Sequence, residues 1–212
     1  MSKITRIEVQ KRNKERFNIY IDEVYAFSVN GELVYKENLE VNEEVDEERL
    51  HKIAQKENLL KCKNTALRII ERSYKTEKEI KERLIDKGYD LESILPVVDF
   101  LKEYSFIDDS AYIKMYIKDR IRSQGALKIK YALIRKGIDP DEIEDNLTNL
   151  NKDEERNVAL ELVKKKHSQL VGKENDTYKL SNKLCRFLVG RGYDYALAKD
   201  VIKKAMNIDD ID

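Results

Sequence analysis

A chain of 212 residues with 41 basic and 41 acidic side chains carries no formal net charge, and 39% of it is charged against 41% hydrophobic. That balance describes a soluble globular protein with length for one large or two modest domains. It excludes a membrane span, because the longest unbroken apolar runs are a few residues against the roughly 20 needed to cross a bilayer. The start, MSKITRIEVQ, lacks the apolar core of a signal peptide, so a cytoplasmic protein is expected.

In the first third, Ile7 and Val9, then Phe17, Ile19 and Ile21, alternate with polar residues. A period of two predicts half-buried strands. The polar KRNKE between them, residues 11–15, suits a hairpin turn, and residues 24–29 are rich in β-branched and aromatic side chains. Residues 4–29 therefore read as a small antiparallel sheet. Asn30-Gly31 ends it, with a short helix to follow. The acidic stretch 40–48 reads as a mobile hinge.

From about Asp46 the apolar period becomes that of a helix. One phrase then occurs three times: LIDKGYD from Leu84, LIRKGID from Leu133 and LVGRGYD from Leu188. Each has a leucine, a basic residue before a glycine, an apolar residue after it, and an aspartate. The phrase is a junction between two helices. Lys87, Lys136 and Arg191 sit near a helix C-terminus, where the dipole favours them. Gly88, Gly137 and Gly192 fill the left-handed position that a β-carbon would penalise. Asp90, Asp139 and Asp194 cap the next helix, and Pro140 stands at a first helical position, where its missing N–H costs nothing.

Thr76 and Glu79 form a capping box that opens the helix before the first junction. That helix carries Ile80, Leu84 and Ile85 on one side. Pro96 is expected to kink the helix after the junction. Further helices are expected over 59–72, 109–123 and 152–169. The result is three three-helix units, roughly 59–104, 109–150 and 152–207. The fold class is mainly α, a tandem array of three three-helix repeats with a small β-rich N-terminal extension. Its divisions are a β-rich unit (1–45), a linker helix with the first repeat (46–108), the second repeat (109–150) and the third (151–212).

The chemistry of catalysis is missing from the pattern. There is no phosphate-cradling loop, and neither His51 nor His167 sits in a nucleophile constellation. Asp108-Asp109 is the sharpest acidic pair, and its first use is to cap a helix. Cys62 and Cys185 lie far apart among helical residues and read as reduced packing residues, with no disulfide framework. No enzyme activity, metal or cofactor is expected.

What remains is electrostatic. From residue 110 to 138 there are eight basic residues and one acid, Asp119; from 139 to 157 there are eight acids and two bases. Lys114, Lys118 and Arg122 recur at four-residue spacing and form one stripe on a helix, with Arg120 nearby. Lys128, Tyr131 and Arg135 share a face of the next helix. Bases with an interleaved aromatic suit a phosphate track or an acidic protein surface. The plain alternative is a solvated face, paired in part with the acidic block.

Three segments carry a resemblance: ERSYKTEKEIKERLIDKGY (71–89), FLKEYSFIDDSAYIKMYIKDRI (100–121) and KIKYALIRKGI (128–138). Together with the N-terminal IEVQKRNKERFNIYIDEVYAFSV, they resemble the RecX family of bacterial recombinase regulators. The resemblance covers nearly the whole chain and is weakest in the third repeat, where GRGYD keeps only the junction. It implies a monomeric, non-enzymatic modulator of RecA, acting in homologous recombination, DNA repair and the SOS response. Such a protein is a curved tandem of three-helix repeats that lies in the groove of the RecA–DNA filament. It inhibits ATP hydrolysis, strand exchange and coprotease activity. The family brings no catalytic residues. The surface expected to meet RecA or DNA comprises Lys114, Lys118, Arg120, Arg122, Lys128, Tyr131 and Arg135. Three-helix units also resemble helix-turn-helix folds, which leaves open a module binding single- or double-stranded DNA directly, or a scaffold for another protein.

Overall fold

The alternating apolar residues do form strands. The structure, a computed structural model, describes residues 2–148, 152–174 and 176–206. The chain divides into two units, Met1–Asp108 and Asp109–Asp212.

In the first unit, β1 (Ser2–Val9), β2 (Arg16–Ile21), β3 (Val24–Asn30) and the short β4 (Glu44–Val45) make one antiparallel sheet in the order β3-β2-β1-β4. Ile19 faces Ile7 on one side and Phe27 on the other, so the period-two residues meet across the ladder. Asp22 and Glu23 join β2 to β3 with both φ angles positive, 48° and 67°, the geometry of a tight two-residue hairpin loop. The Asp22 carboxylate accepts from the Lys3 N–H at 3.0 Å, which ties this glycine-free turn to β1. Asn30 caps helix α1 (Gly31–Lys36), the short helix expected there.

The stretch 40–48 is not a hinge. It supplies β4, which pairs Glu44 with Lys3, and Asp46, whose carboxylate accepts from the Arg49 N–H at 3.0 Å to cap α2 (Glu47–Arg72). Its acidity reflects a strand edge and a helix start, both of which favour such side chains. The helix expected over 59–72 begins twelve residues earlier, at Glu47, and belongs to two cores. Leu50 and Ala54 pack with Ile4, Ile19, Phe27 and Val29 of the sheet. Cys62 and Ala66 pack with α3 (Glu77–Asp86) and α4 (Leu91–Glu103). The capping box at Thr76 and Glu79 is present, and α4 runs through Pro96. Ile80 and Leu84 are fully buried, but Ile85 is 42% exposed and lies off the buried row.

The second unit holds two repeats. Helices α5 (Asp109–Arg120), α6 (Ala126–Arg135) and α7 (Pro140–Thr148) enclose Ile113, Ile129, Leu133 and Ile143. Helices α8 (Lys152–Leu170), α9 (Thr177–Val189) and α10 (Tyr195–Met206) enclose Val163, Leu184, Leu188, Val201 and Ile202. No strand occurs among the described residues of this unit.

The repeated phrase has the same hydrogen bonds in all three places. The residue after the glycine donates its N–H to the leucine carbonyl: Tyr89 to Leu84 at 3.2 Å, Ile138 to Leu133 at 3.3 Å, Tyr193 to Leu188 at 3.2 Å. The glycine N–H reaches the carbonyl three residues back, in Ile85, Ile134 and Val189. This pair of bonds is the Schellman stop. Gly88, Gly137 and Gly192 have φ of 87°, 85° and 88°. The leucine, the residue four before it and the residue ten after it are fully buried in each repeat: Ile80, Leu84 and Ile94; Ile129, Leu133 and Ile143; Leu184, Leu188 and Ala198.

Candidate functional site

Helix α5 buries Tyr112, Ile113 and Ile117 and leaves Lys114 and Lys118 in solvent, one turn apart. Arg122 is exposed too, but it stands in the turn beyond Arg120, where α5 ends; the stripe expected over 109–123 is two residues of helix plus one of turn. Arg120 is off that row, two positions from Lys118, with its guanidinium 5.6 Å from the centre of the Tyr116 ring. On α6, Ile129 and Leu133 are buried while Lys128, Tyr131 and Arg135 are exposed. All seven residues expected to meet a partner thus lie on the surface of the second repeat, though only Lys114 and Lys118 share a row on α5.

The acidic block takes up some of the nearby charge. Lys130 pairs with Glu144 of α7, and this hydrogen bond lifts the lysine above its ordinary pKa. Lys114, Lys118, Arg122 and Lys128 have no acidic partner among the described residues. A cation left unpaired on a surface remains available to an incoming anion.

The start of α6 is held from the third repeat. Gly125 offers no capping side chain, and the Glu155 carboxylate of α8 accepts from the Ala126 N–H at 2.9 Å. The Gly125 N–H donates to the Arg191 carbonyl at 3.0 Å and the Leu127 N–H to the Gly192 carbonyl at 3.1 Å. Lys128 therefore follows directly on a helix start that is anchored to the third junction.

A second concentration of positive charge lies in the first unit, and no single stretch of sequence shows it. A cleft of about 1050 Å³ runs between the β1–β2 loop, α2 and α3. Arg68, Arg72, Lys75, Arg83 and Lys87 line it from the helices, and Arg12 and Lys14 from the loop; Glu15 and Asp86 are its acids. Asp86 is taken by Arg12, at 2.8 Å. At the cleft's base Arg16 is buried, donating from Nε to the Gly88 carbonyl at 3.0 Å and from Nη2 to Ser28 Oγ at 2.8 Å, with its guanidinium over the Tyr89 ring. Burial pulls its pKa down from the ordinary arginine value, and Tyr89 and Asp90 oppose that. Asn13 Nδ2 donates to the Lys87 carbonyl at 2.8 Å. The first junction is thus the dock for the β1–β2 loop. The available sequence signal was the four-residue spacing of Arg68 with Arg72 and of Arg83 with Lys87.

The remaining titratable groups have structural settings. His51 packs edge-on to Phe27, ring centres 5.7 Å apart. Asp109 begins α5. The Cys62 thiol is buried and pushed up to about 12 by desolvation, and Cys185 is also raised by partial burial. No group of three or more His, Cys, Asp or Glu able to hold a metal ion occurs among the described residues. No helix there is long and apolar enough to cross a membrane.

Fold and surface define a class: tandem three-helix repeats behind an N-terminal antiparallel sheet, with clustered surface charge as the prominent chemistry. Four family models match in order: the regulatory protein RecX N-terminal domain at residues 2–46, and the first, second and third RecX three-helix domains at 62–101, 108–147 and 153–202. The regulatory protein RecX of Clostridium beijerinckii is 51% identical over 99% of this chain and 98% of its own, and that of Clostridioides difficile is 36% identical with both chains fully covered. A crystal structure of regulatory protein RecX superposes with a TM-score of 0.66 at 27% identity, over 96% of this chain and all of that one. The structure of RecX from Lactobacillus salivarius shares the fold, with a TM-score of 0.64 at 22% identity over 71% of this chain and 98% of its own. The chain belongs to the RecX family of regulatory proteins. The third repeat, where the sequence resemblance was weakest, is matched like the other two.

Proposed function

We propose that this protein is a non-enzymatic modulator of RecA that binds the groove of the RecA–DNA filament and inhibits its ATPase, strand-exchange and coprotease activities. The observation that carries the reading is the match to regulatory RecX proteins along the whole chain, N-terminal sheet and all three repeats included. The physics agrees with it. A tandem of repeats presents an extended surface, and a helical filament repeats one groove many times. In this reading Lys114, Lys118, Arg120, Arg122, Lys128, Tyr131 and Arg135 meet acidic groups of the filament. The chain acts as a monomer in the cytoplasm and needs no cofactor.

The exposed cations Lys114, Lys118, Arg122 and Lys128 also suit a second reading, direct binding of DNA by the middle repeat. One experiment separates the two. The protein is titrated against DNA alone, RecA alone and the preformed filament, with RecA ATP hydrolysis followed in the last case. Tightest binding to the filament, with loss of hydrolysis, is the expected result. Equal binding to bare DNA and to filament, with hydrolysis unaffected, would favour the DNA module.

A further inference from the structure

We infer that the first unit holds a single-stranded nucleic acid, its sugar–phosphate backbone in the arginine cleft and a base against Tyr74 and Phe106. The inference concerns a different surface from the middle repeat and goes beyond the reading above.

The cleft selects anions. Arg68, Arg72, Arg83, Lys14 and Lys87 have no acidic partner among the described residues, and all five are exposed. Three of them are arginines, whose planar fork matches two phosphate oxygens at once and sheds water more readily than an ammonium. At about 1050 Å³ the cleft lies at the upper end of the range for drug-sized ligands, so it has room for more than one small anion. Its walls are also fixed. Buried Arg16 and the Asn13 amide tie the loop backbone to the first junction, so the loop itself has little freedom to give up when a ligand arrives.

What narrows the anion to a single strand is the neighbouring hollow. It has a volume of about 970 Å³; Leu67, Ile70, Tyr74 and Phe106 are its apolar lining, and Asn64 and the carboxylate of Glu71 also line it. Arg68, Arg72 and Ser73 line both spaces, so the two adjoin at the end of α2. Tyr74 is 75% exposed and Phe106 47%, although either ring would gain by burial. Phe106 packs beside Phe100 and Tyr104, ring centres 6.1 and 6.3 Å apart, and still keeps about half its surface in solvent. Exposed cations in one space and exposed aromatic rings in the adjoining one are the two components of a single-strand site. A duplex keeps its bases stacked and offers none to a ring, and a peptide of acidic residues alone brings no ring to stack there.

The test uses the full chain without RecA and follows the fluorescence anisotropy of a labelled oligothymidylate. The unaltered protein is expected to bind it, with affinity falling as salt rises. R68A/R72A/R83A, at exposed positions, should keep its helical circular dichroism. It should bind weakly, with the salt slope reduced by roughly 2, about 0.7 for each phosphate that is no longer neutralised. Y74A/F106A should bind roughly tenfold more weakly with the slope unchanged, because stacking releases no counterions. The inference is overturned if the unaltered chain fails to bind, or if the arginine variant binds with unchanged affinity and slope. It is also overturned if the aromatic variant is indistinguishable from the unaltered chain, or if polyglutamate displaces the labelled strand as well as unlabelled DNA does. Because RecA is absent, these outcomes are separate from the fate of the filament reading.

Discussion

Gly88 and Gly192 occupy the same place in their repeats, with φ near 90° in both, and face different neighbours. A β-carbon at Gly88 would meet Gln10 Oε1 first, the far end of a side chain that can swing away. One at Gly192 would meet the backbone nitrogen, Cα and Cβ of Lys128, none of which can move without shifting α6. Both alanine variants incur the left-handed cost of about 1 kcal/mol. G192A adds an overpacking cost of roughly 1–3 kcal/mol. Urea melts should therefore place G192A clearly below G88A; equal midpoints would mean that the approach of Gly192 to Lys128 is looser than its geometry. The cysteines give a second expectation. Cys62 is fully buried and its thiol is held near 12, while Cys185 is partly exposed, so a thiol reagent near pH 8 should modify one cysteine in the folded protein and two after denaturation. Rapid reaction of both in the native state would contradict the packing around α2.

The helices show which parts of the fold were legible and which were not. The three junctions could be read because their signals are local: a glycine needing positive φ, an aspartate that caps, and a leucine four residues after another apolar residue. The extent of α2 could not. Glu47 to Asn58 carries few apolar residues, since only Leu50 and Ala54 of that half are buried hydrophobics packing on the sheet, and nothing local marks the helix as continuous with the repeat. Strand β4 is two residues long and exists only because β1 lies beside it. The basic cleft stayed hidden for the same reason, as its cations run from Arg12 to Lys87 and meet only when the loop docks on α3. Lys114 and Lys118, four residues apart on α5, could be read directly, whereas the end of the helix before Arg122 could not. A helix-level expectation concerns Glu77, at the start of α3. Hydrogen bonds from Lys102 at 2.8 Å and Lys81 at 2.5 Å hold its carboxyl below the usual carboxylate range. A carboxyl lowered on folding stabilises the fold above its unfolded pKa, about 4.3, and that contribution disappears as pH falls through the lower folded value. The stability gap between the unaltered chain and E77Q is therefore expected to be constant at neutral pH and to close below about pH 4. A gap that persists undiminished into strong acid would assign the effect to packing.

Across the whole chain, 41 positive and 41 negative charges cancel, so no long-range net field attracts the protein to DNA or repels it. Function on a charged partner must then come from where the charges sit. The middle repeat supplies one such place, since Lys114, Lys118, Arg122 and Lys128 are exposed and have no acidic partner among the described residues, although an acidic segment follows them in sequence. From that segment, Glu144 pairs with Lys130. If these cations meet the filament, replacing Lys114, Lys118 and Arg122 by alanine should reduce inhibition of RecA ATP hydrolysis while helical content is kept, because none of the three contributes to the core. Salt then distinguishes the two kinds of anion. Binding to DNA phosphates releases counterions, so each cation removed from a phosphate lowers the slope of log K against log salt by roughly 0.7–0.9. Pairing with RecA carboxylates weakens with salt through screening, and in that case binding to RecA persists without DNA. Full inhibition by the triple variant at unchanged salt dependence would make the stripe a solvated face. The search would then move to the third repeat, where Lys164, Lys165 and Lys166 near the end of α8 and Arg186 and Arg191 around the end of α9 form the next concentration of positive charge.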